Sequence, residues 1–289
     1  MTTACCSICS SARLGLFAMA GPCYGRPTCN TCNYFGYPPK TYTAIESCFM
    51  KTPNCLKLLL GALLLTGCVT SHQSAGPTAQ TQTQTCETQA TITPSQALTL
   101  LKDGNARFVS GQMLHRDLRQ EVLRTSSGQY PLAVVVSCLD SRVPAELIFD
   151  QGLGDIFNGR VAGNVVNEDI LGSLEFATKV SGAKLIVVMG HTSCGAIKGA
   201  CDDVQLGNLT ALLARIKPAV DSVQTEPGEM RSSKNSAFVE KVAEANVHHA
   251  LKTIRTQSPI LNEMIEKGQV GLVGGNYDLG TGKVTFFSE

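Results

Sequence analysis

This chain of 289 residues predicts an α/β fold, a central and mostly parallel β-sheet flanked by helices. Three observations carry that expectation. Residues 132–136 (Leu-Ala-Val-Val-Val) and 184–189 (Lys-Leu-Ile-Val-Val-Met) are almost unbroken apolar runs, as strands covered on both faces require. Helical periodicity fills the stretches between and after them, so strands and helices alternate. No internal repeat interrupts that alternation.

The elements follow in order from about residue 92. Residues 95–109 read as a helix, because Ala97, Leu98, Leu100, Leu101 and Phe108 interleave with polar residues behind the start signal Thr93-Pro94. A polar segment with His115, Arg116 and Arg119 follows. The first strand is expected at 132–136 and a shorter one at 155–161, then a helix at 168–180 and the second apolar strand at 184–189. Helices are expected over 194–202, 206–224 and 235–256. The last strands are expected at 270–277 and 283–287, joined by a Gly-rich turn.

The chain upstream of this domain has another character. Residues 1–49 keep neither the period of a strand nor that of a helix, yet hold seven of the 13 cysteines. Cys29 and Cys32 have the spacing of half a zinc knuckle, but Cys5, Cys6 and Cys9 make a poor second half. The stretch reads as an extension upstream of the natural product. From Met50 the chain has a short basic region, an apolar run over 58–65 and small residues before Cys68, the layout of a signal peptide. Leu65-Thr66-Gly67-Cys68 resembles the bacterial lipobox, which implies a lipidated Cys68 at the mature N-terminus. A buried hydrophobic helix is the competing reading of the apolar run. Residues 68–91 are rich in Gln, Thr and Ser, as a flexible tether would be. The expected organisation is an upstream extension (1–49), a lipoprotein signal peptide (50–67), a tether (68–91) and a folded domain (92–289). It implies a lipid-anchored protein of the bacterial envelope, facing the periplasm.

The charge balance changes with that division. The whole chain is +1, residues 1–67 carry +4, and residues 68–289 are left at −3. The mature protein is mildly acidic and offers no basic stripe for nucleic acid. Abundant aliphatic residues exclude a chain disordered throughout, and the uneven cysteine distribution excludes a small disulfide scaffold.

Both apolar strands end in metal-ligand residue types. One runs into Ser137-Cys138-Leu139-Asp140-Ser141-Arg142, the other into Gly190-His191-Thr192-Ser193-Cys194-Gly195. Ligands of open α/β sheets sit beyond the carboxyl ends of strands. Cys138, Asp140, His191 and Cys194 would converge there if the strands are neighbours, and they form a good tetrahedral zinc set. Taken singly, each cysteine also reads as a core thiol and the histidine as a structural residue. Asp140 and Arg142 lie two apart, which in extended chain puts them on one side. As a bidentate pair they would hold Asp140 ionised and off the metal, freeing the fourth position for water. A purely structural ion pair is the alternative.

The segments 138–144 (Cys-Leu-Asp-Ser-Arg-Val-Pro) and 190–195 resemble the two signatures of the β-class carbonic anhydrases. With the opening helix around Lys102, Asp103 and Gly104, the resemblance spans residues 94–287. It implies zinc ligands at Cys138, His191 and Cys194, and a dyad of Asp140 with Arg142. In a closed form of such sites Asp140 takes the fourth zinc position. It further implies a substrate-binding glutamine at Gln129, apolar pocket walls at Phe157, Ala162 and Phe176, and assembly at least into a dimer, with Phe176 reaching across the interface. The implied activity is reversible hydration of CO2 to bicarbonate and a proton by zinc-bound hydroxide, a zinc lyase. Leu139 departs from the small residue usual at its position. His248 and His249 are expected as surface residues rather than proton shuttles, and the absence of Trp argues against a second, inhibitory bicarbonate site. The ligand set fits equally a hydrolase of carbonyl sulfide or carbon disulfide. A non-catalytic zinc- or bicarbonate-sensing protein is the third reading, which the presence of Gln129 and Arg142 disfavours. Cys86 and Cys201 are left without a role.

Overall fold

The structure is a computed structural model and describes residues 83–287. The expected extension, signal peptide, lipidation site Cys68 and tether through residue 82 lie outside the described residues. Five strands form one sheet: β1 (Ala133–Ser137), β2 (Ile156–Arg160), β3 (Leu185–His191), β4 (Gly271–Tyr277) and β5 (Val284–Phe287). Their order is β2-β1-β3-β4-β5, the first four parallel and β5 antiparallel to β4. The expected mostly parallel sheet is therefore present.

Strand alternation divides the core. Ala133 and Val135 of β1, with Leu185, Val187 and Met189 of β3, face one layer that includes α2 (Pro94–Ser110) and α4 (Ala145–Ile148). Val134 and Val136, with Ile186 and Val188, face α5 (Glu168–Glu175), α9 (Ser236–Gln257) and α10 (Pro259–Glu266). Burial of such side chains contributes roughly 1.5–3 kcal/mol each, which is why both strands are apolar over 133–136 and 185–189. Gly104 lets α2 approach closely, since a Cβ there would lie against the backbone carbonyl of Phe149. A third apolar cluster caps the carboxyl end of the sheet, drawn from α6 (Gly195–Cys201), α7 (Gly207–Ala214), α8 (Lys217–Ser222) and the start of α9.

Four expectations need correction. The tether does not run to residue 91, because α1 covers Cys86–Thr91, capped by the Thr85 and Thr88 side chains. Its Gln89 is buried, and Nε2 donates to the carbonyls of Pro131 and Ser181, both at 2.8 Å. Hydrogen bonds rather than apolar burial dock this segment, so its polar composition looked like a linker. The polar segment after α2 contains α3 (Leu118–Thr125), with Asp117 as N-cap. The single helix expected over 206–224 is two, because Pro218 lacks an N–H and starts a new helix in its first turn. The helix expected over 168–180 leaves α geometry at Phe176 and finishes as a π turn through Val180.

Candidate metal centre

Adjacent strands of unequal length build the site. β1 ends at Ser137, which lies opposite Met189, and Cys138 is the next residue. β3 continues two residues further and ends on His191 itself. Thr192 and Ser193 make a turn, and Cys194 caps the amino end of α6. Cys138, His191 and Cys194 are all buried, and their donor atoms lie within 4.8 Å of one another.

Two features test whether this trio fits a metal. The sulfurs of Cys138 and Cys194 stand 3.9 Å apart, too far for a disulfide. Zn–S bonds of about 2.3 Å at a tetrahedral angle would separate them by about 3.8 Å. The second feature is His191. Its Nδ1 donates to the Thr192 carbonyl at 2.9 Å, which leaves Nε2 carrying a lone pair. That Nε2 is buried and finds no hydrogen-bond partner among the described residues. A lone pair buried without a donor is costly unless a cation takes it. The trio fits zinc.

The electrostatics are those of the trio without a cation. The hydrogen bond from Cys194 pulls the Cys138 thiol down to about 4, against the opposing effect of burial. The same contact with Cys138, with burial, pushes the Cys194 thiol far up. Without a cation only one of the two sulfurs ionises readily; a bound dication would deprotonate both. Burial works against a charged His191, but the Cys138 thiolate and the Thr192 carbonyl outweigh it and raise its pKa.

Asp140 and Arg142 pair as expected, though by a different geometry. The chain is not extended here but turns, with Val143 N–H donating to the Asp140 carbonyl at 3.0 Å. Arg142 donates from Nε to Asp140 Oδ1 at 2.9 Å, from Nη2 to Oδ2 at 2.7 Å, and from its backbone N–H to Oδ1 at 3.0 Å. These bonds, the side-chain ones foremost, hold the Asp140 carboxyl well below the usual carboxylate range. Asp140 Oδ2 lies 4.0 Å from His191 Nε2. Asp140 thus stands beside the trio rather than within it, turned toward Arg142. Leu139, the departure from the family pattern, points to solvent.

The expected pocket residues separate. Ala162 is half-buried beside Gly163, whose N–H donates to Cys138 Sγ at 3.4 Å, so it adjoins the metal trio. Phe157 and Phe176 meet edge-on with ring centroids 6.4 Å apart. They line a groove of about 590 Å³ with Val134, Val136, Gly159 and Ile170, and no metal ligand borders it. Gln129 is exposed in the loop before β1, whereas Cys138 follows that strand. Within one chain Gln129 is therefore not brought to the metal end. His248 is exposed and stacks on Phe287, as expected of a surface residue; His249 is half-buried instead, and burial lowers its pKa.

Three contributors escaped the sequence reading. Arg160 at the end of β2 donates from Nε to the Cys138 carbonyl at 3.0 Å and from Nη2 to the Asp140 carbonyl. Gly163 has φ of +65°, and a Cβ there would fall 2.6 Å from Ile216 Cδ1, so only glycine can present its N–H to the sulfur. Asn246 of α9 donates from Nδ2 to the Gly163 carbonyl at 2.7 Å. A basic residue ending an edge strand and a glycine in the next turn were the available signals for the first two. For Asn246, far along the chain, there was none.

An α/β sheet that gathers a buried Cys2His trio beyond two adjoining strands, beside a paired Asp and Arg, is of the class that can hold a metal ion there. The family model for carbonic anhydrase matches residues 133–284. Carbonic anhydrase 2 of Mycobacterium tuberculosis is 36% identical over 192 residues, covering 66% of this chain and 91% of that protein. A carbonic anhydrase of Mycolicibacterium smegmatis is 38% identical over 204 residues, covering 68% of this chain and 94% of that one. Among solved structures, the β-carbonic anhydrase CcaA superposes with a TM-score of 0.53 at 25% identity, over 66% of this chain and 87% of that one. The chain belongs to the β-class carbonic anhydrases, a family of enzymes.

Proposed function

We propose that this chain catalyses the reversible hydration of CO2 to bicarbonate and a proton, with zinc held by Cys138, His191 and Cys194. The observation that carries the proposal is the buried Nε2 of His191, without a hydrogen-bond partner among the described residues, close to two sulfurs at zinc-like separation. Zinc in a three-ligand protein set lowers the pKa of water at its open position toward about 7.

The chain's own residues then do the following. His191 presents Nε2 in one tautomer, fixed by the Thr192 carbonyl. Asp140, kept ionised by Arg142, is an acceptor at the site and orients the attacking oxygen by taking a hydrogen bond from it. Because its carboxyl lies far below the usual range, Asp140 orients without itself keeping the proton, which passes to buffer. Arg160 and Gly163 hold the Cys138 loop from behind. Assay of CO2 hydration by the chain starting at Ser71, with its zinc content measured alongside, tests this. Zinc bound with no hydration above buffer would sink it, and carbonyl sulfide and carbon disulfide run in parallel would expose a hydrolase.

The pocket is proposed to be completed by a second copy, which would bring in Gln129 and cover Phe176, itself 44% exposed. Leu118, Val122 and Leu123 of α3 are likewise turned outward, and an apolar helix face of this kind suits a homodimer or larger assembly. Sedimentation equilibrium checks it: a monomer at micromolar concentration contradicts the shared pocket. Residues 50–67 are proposed as a lipoprotein signal with Cys68 lipidated, placing the enzyme at the cell envelope and facing the periplasm. Mass spectrometry of the native N-terminus decides, and a mature chain that retains residues 1–49 defeats this reading.

A further inference from the structure

The turn between His191 and Cys194 contains a strained residue. Ser193 has φ of +56°, in the left-handed region that side chains other than glycine adopt at a cost. Such a conformation persists where its surroundings impose it: here Thr192 is held by the Tyr277 carbonyl and the Leu279 N–H, and Ser193 itself by one contact. The backbone N–H of Ser193 donates to Glu240 Oε1 of α9 at 2.9 Å. The other carboxylate oxygen, Glu240 Oε2, is buried and has no hydrogen-bond partner among the described residues. A purely structural acceptor would gain by satisfying both oxygens. Glu240 instead directs one oxygen at the peptide that joins two metal ligands.

The rest of α9 supports the same part. Six residues on, Asn246 holds the Gly163 carbonyl, and the Gly163 N–H reaches Cys138 Sγ. The next residue, Val247, packs where a Cβ on Gly190 would stand, at 2.9 Å, next to His191. One helix therefore braces the turn that carries Cys194 and the turn whose N–H reaches the Cys138 sulfur. We propose that Glu240 is a positioning residue of the metal centre: by fixing the Ser193 peptide it sets the direction of the Cys194 thiolate relative to His191. The inference rests on the assignment of Cys138, His191 and Cys194 as metal ligands. A charge-assisted bond to the carboxylate is stronger than one to a neutral acceptor, and bonds one shell outside the ligands typically govern affinity by about 10–100-fold.

The experiment measures zinc affinity of the full chain by competition with a chromophoric chelator, with the thiolate-to-cobalt absorption of the Co2+-loaded protein as a second readout. Glu240→Ala is expected to weaken zinc by about 10-fold or more and to shift the cobalt band, while Glu240→Gln, which keeps an acceptor for the Ser193 N–H, recovers most of the affinity. Ser193→Gly added to Glu240→Ala is expected to restore part of the loss, because glycine adopts the left-handed conformation without a clamp. Should Glu240→Ala fail to fold, Glu240→Asp withdraws the acceptor by one methylene and gives the same reading. Wild-type zinc affinity and an unshifted cobalt band in either shortened variant overturn the role of Glu240. A wild-type chain that binds no zinc overturns the ligand assignment instead, so the two failures are distinct.

Discussion

The two ends of the sheet treat charged groups in opposite ways. At the amino end, Glu121, Asp150 and Asp155 are almost fully buried, and every one is answered. Arg107 Nε meets Asp150 Oδ2 at 2.6 Å, and Arg116 lies 3.4 Å from Glu121, 3.7 Å from Asp155 and 3.8 Å from Asp150. Backbone N–H groups of Gln84 and Leu153 donate to the remaining oxygens of Asp155 and Glu121, and that of Gly152 to the Asp155 oxygen nearest Arg116. At the carboxyl end, Cys138, His191 and Cys194 are just as buried but leave one lone pair unanswered. The first network pairs every carboxylate, and the atom it leaves without a hydrogen bond, Arg116 Nε, is a donor 3.8 Å from Asp150. The second set leaves an acceptor beside two sulfurs, which a cation could take.

The comparison can be broken most severely at the open end. His191→Ala is expected to abolish zinc retention and with it all CO2 hydration above buffer, while the apo chain stays folded. Zinc content by atomic absorption and circular dichroism check both halves. Next in size is Arg116→Met at the closed end, which strips a cation from three buried carboxylates and should cost about 3–5 kcal/mol of stability. Denaturant unfolding measures that loss, and unchanged zinc affinity in the same variant would keep the two ends independent.

Asp140→Asn should lower turnover by about a hundredfold or more, in line with removal of one oriented hydrogen-bonding group, with zinc content and thermal midpoint unchanged. A variant that loses zinc instead would make Asp140 a ligand rather than a partner of Arg142. The smallest effect is in titration. Burial pushes the Asp155 carboxyl up, whereas Arg142 holds Asp140 far down. The contribution of Asp155 to stability is therefore present below its unfolded value of about 3.9 and is lost as pH rises through its higher folded value. That of Asp140 is present above about 3.9 and is lost only as pH falls through its much lower folded value. Carboxyl carbon NMR against pH should show the two midpoints on opposite sides of the ordinary one. Midpoints in the reverse order would contradict both environments.

Much of the open end was legible in the sequence, and little of the closed end was. Cys138, His191 and Cys194 follow apolar strands at spacings that put them side by side once β1 and β3 pair, and Asp140–Arg142 is a local contact. The pairing of residues across the chain was not readable. Arg116 looked like part of a polar loop, yet its side chain is only 12% exposed, because its partners lie in α3 and in the loop before β2. Gln89 looked like linker for the same reason. Glu240 and Asn246 lie on an amphipathic helix where polar residues are ordinary, and only the fold brings them to the metal loops. Residues that act through the backbone of others leave no pattern of their own.

The docking of Gln84 and α1 has a practical consequence for handling the protein. The Gln84 N–H is held by Asp155, which directly precedes β2, so the described chain enters at the amino end of the sheet. The metal loops open at the other end, roughly 15–20 Å away along strands rising about 3.3 Å per residue. An attachment made upstream of Thr83, to a bead, an electrode or a bilayer, grips the molecule by its base. The metal loops lie at the opposite end of the sheet from that attachment.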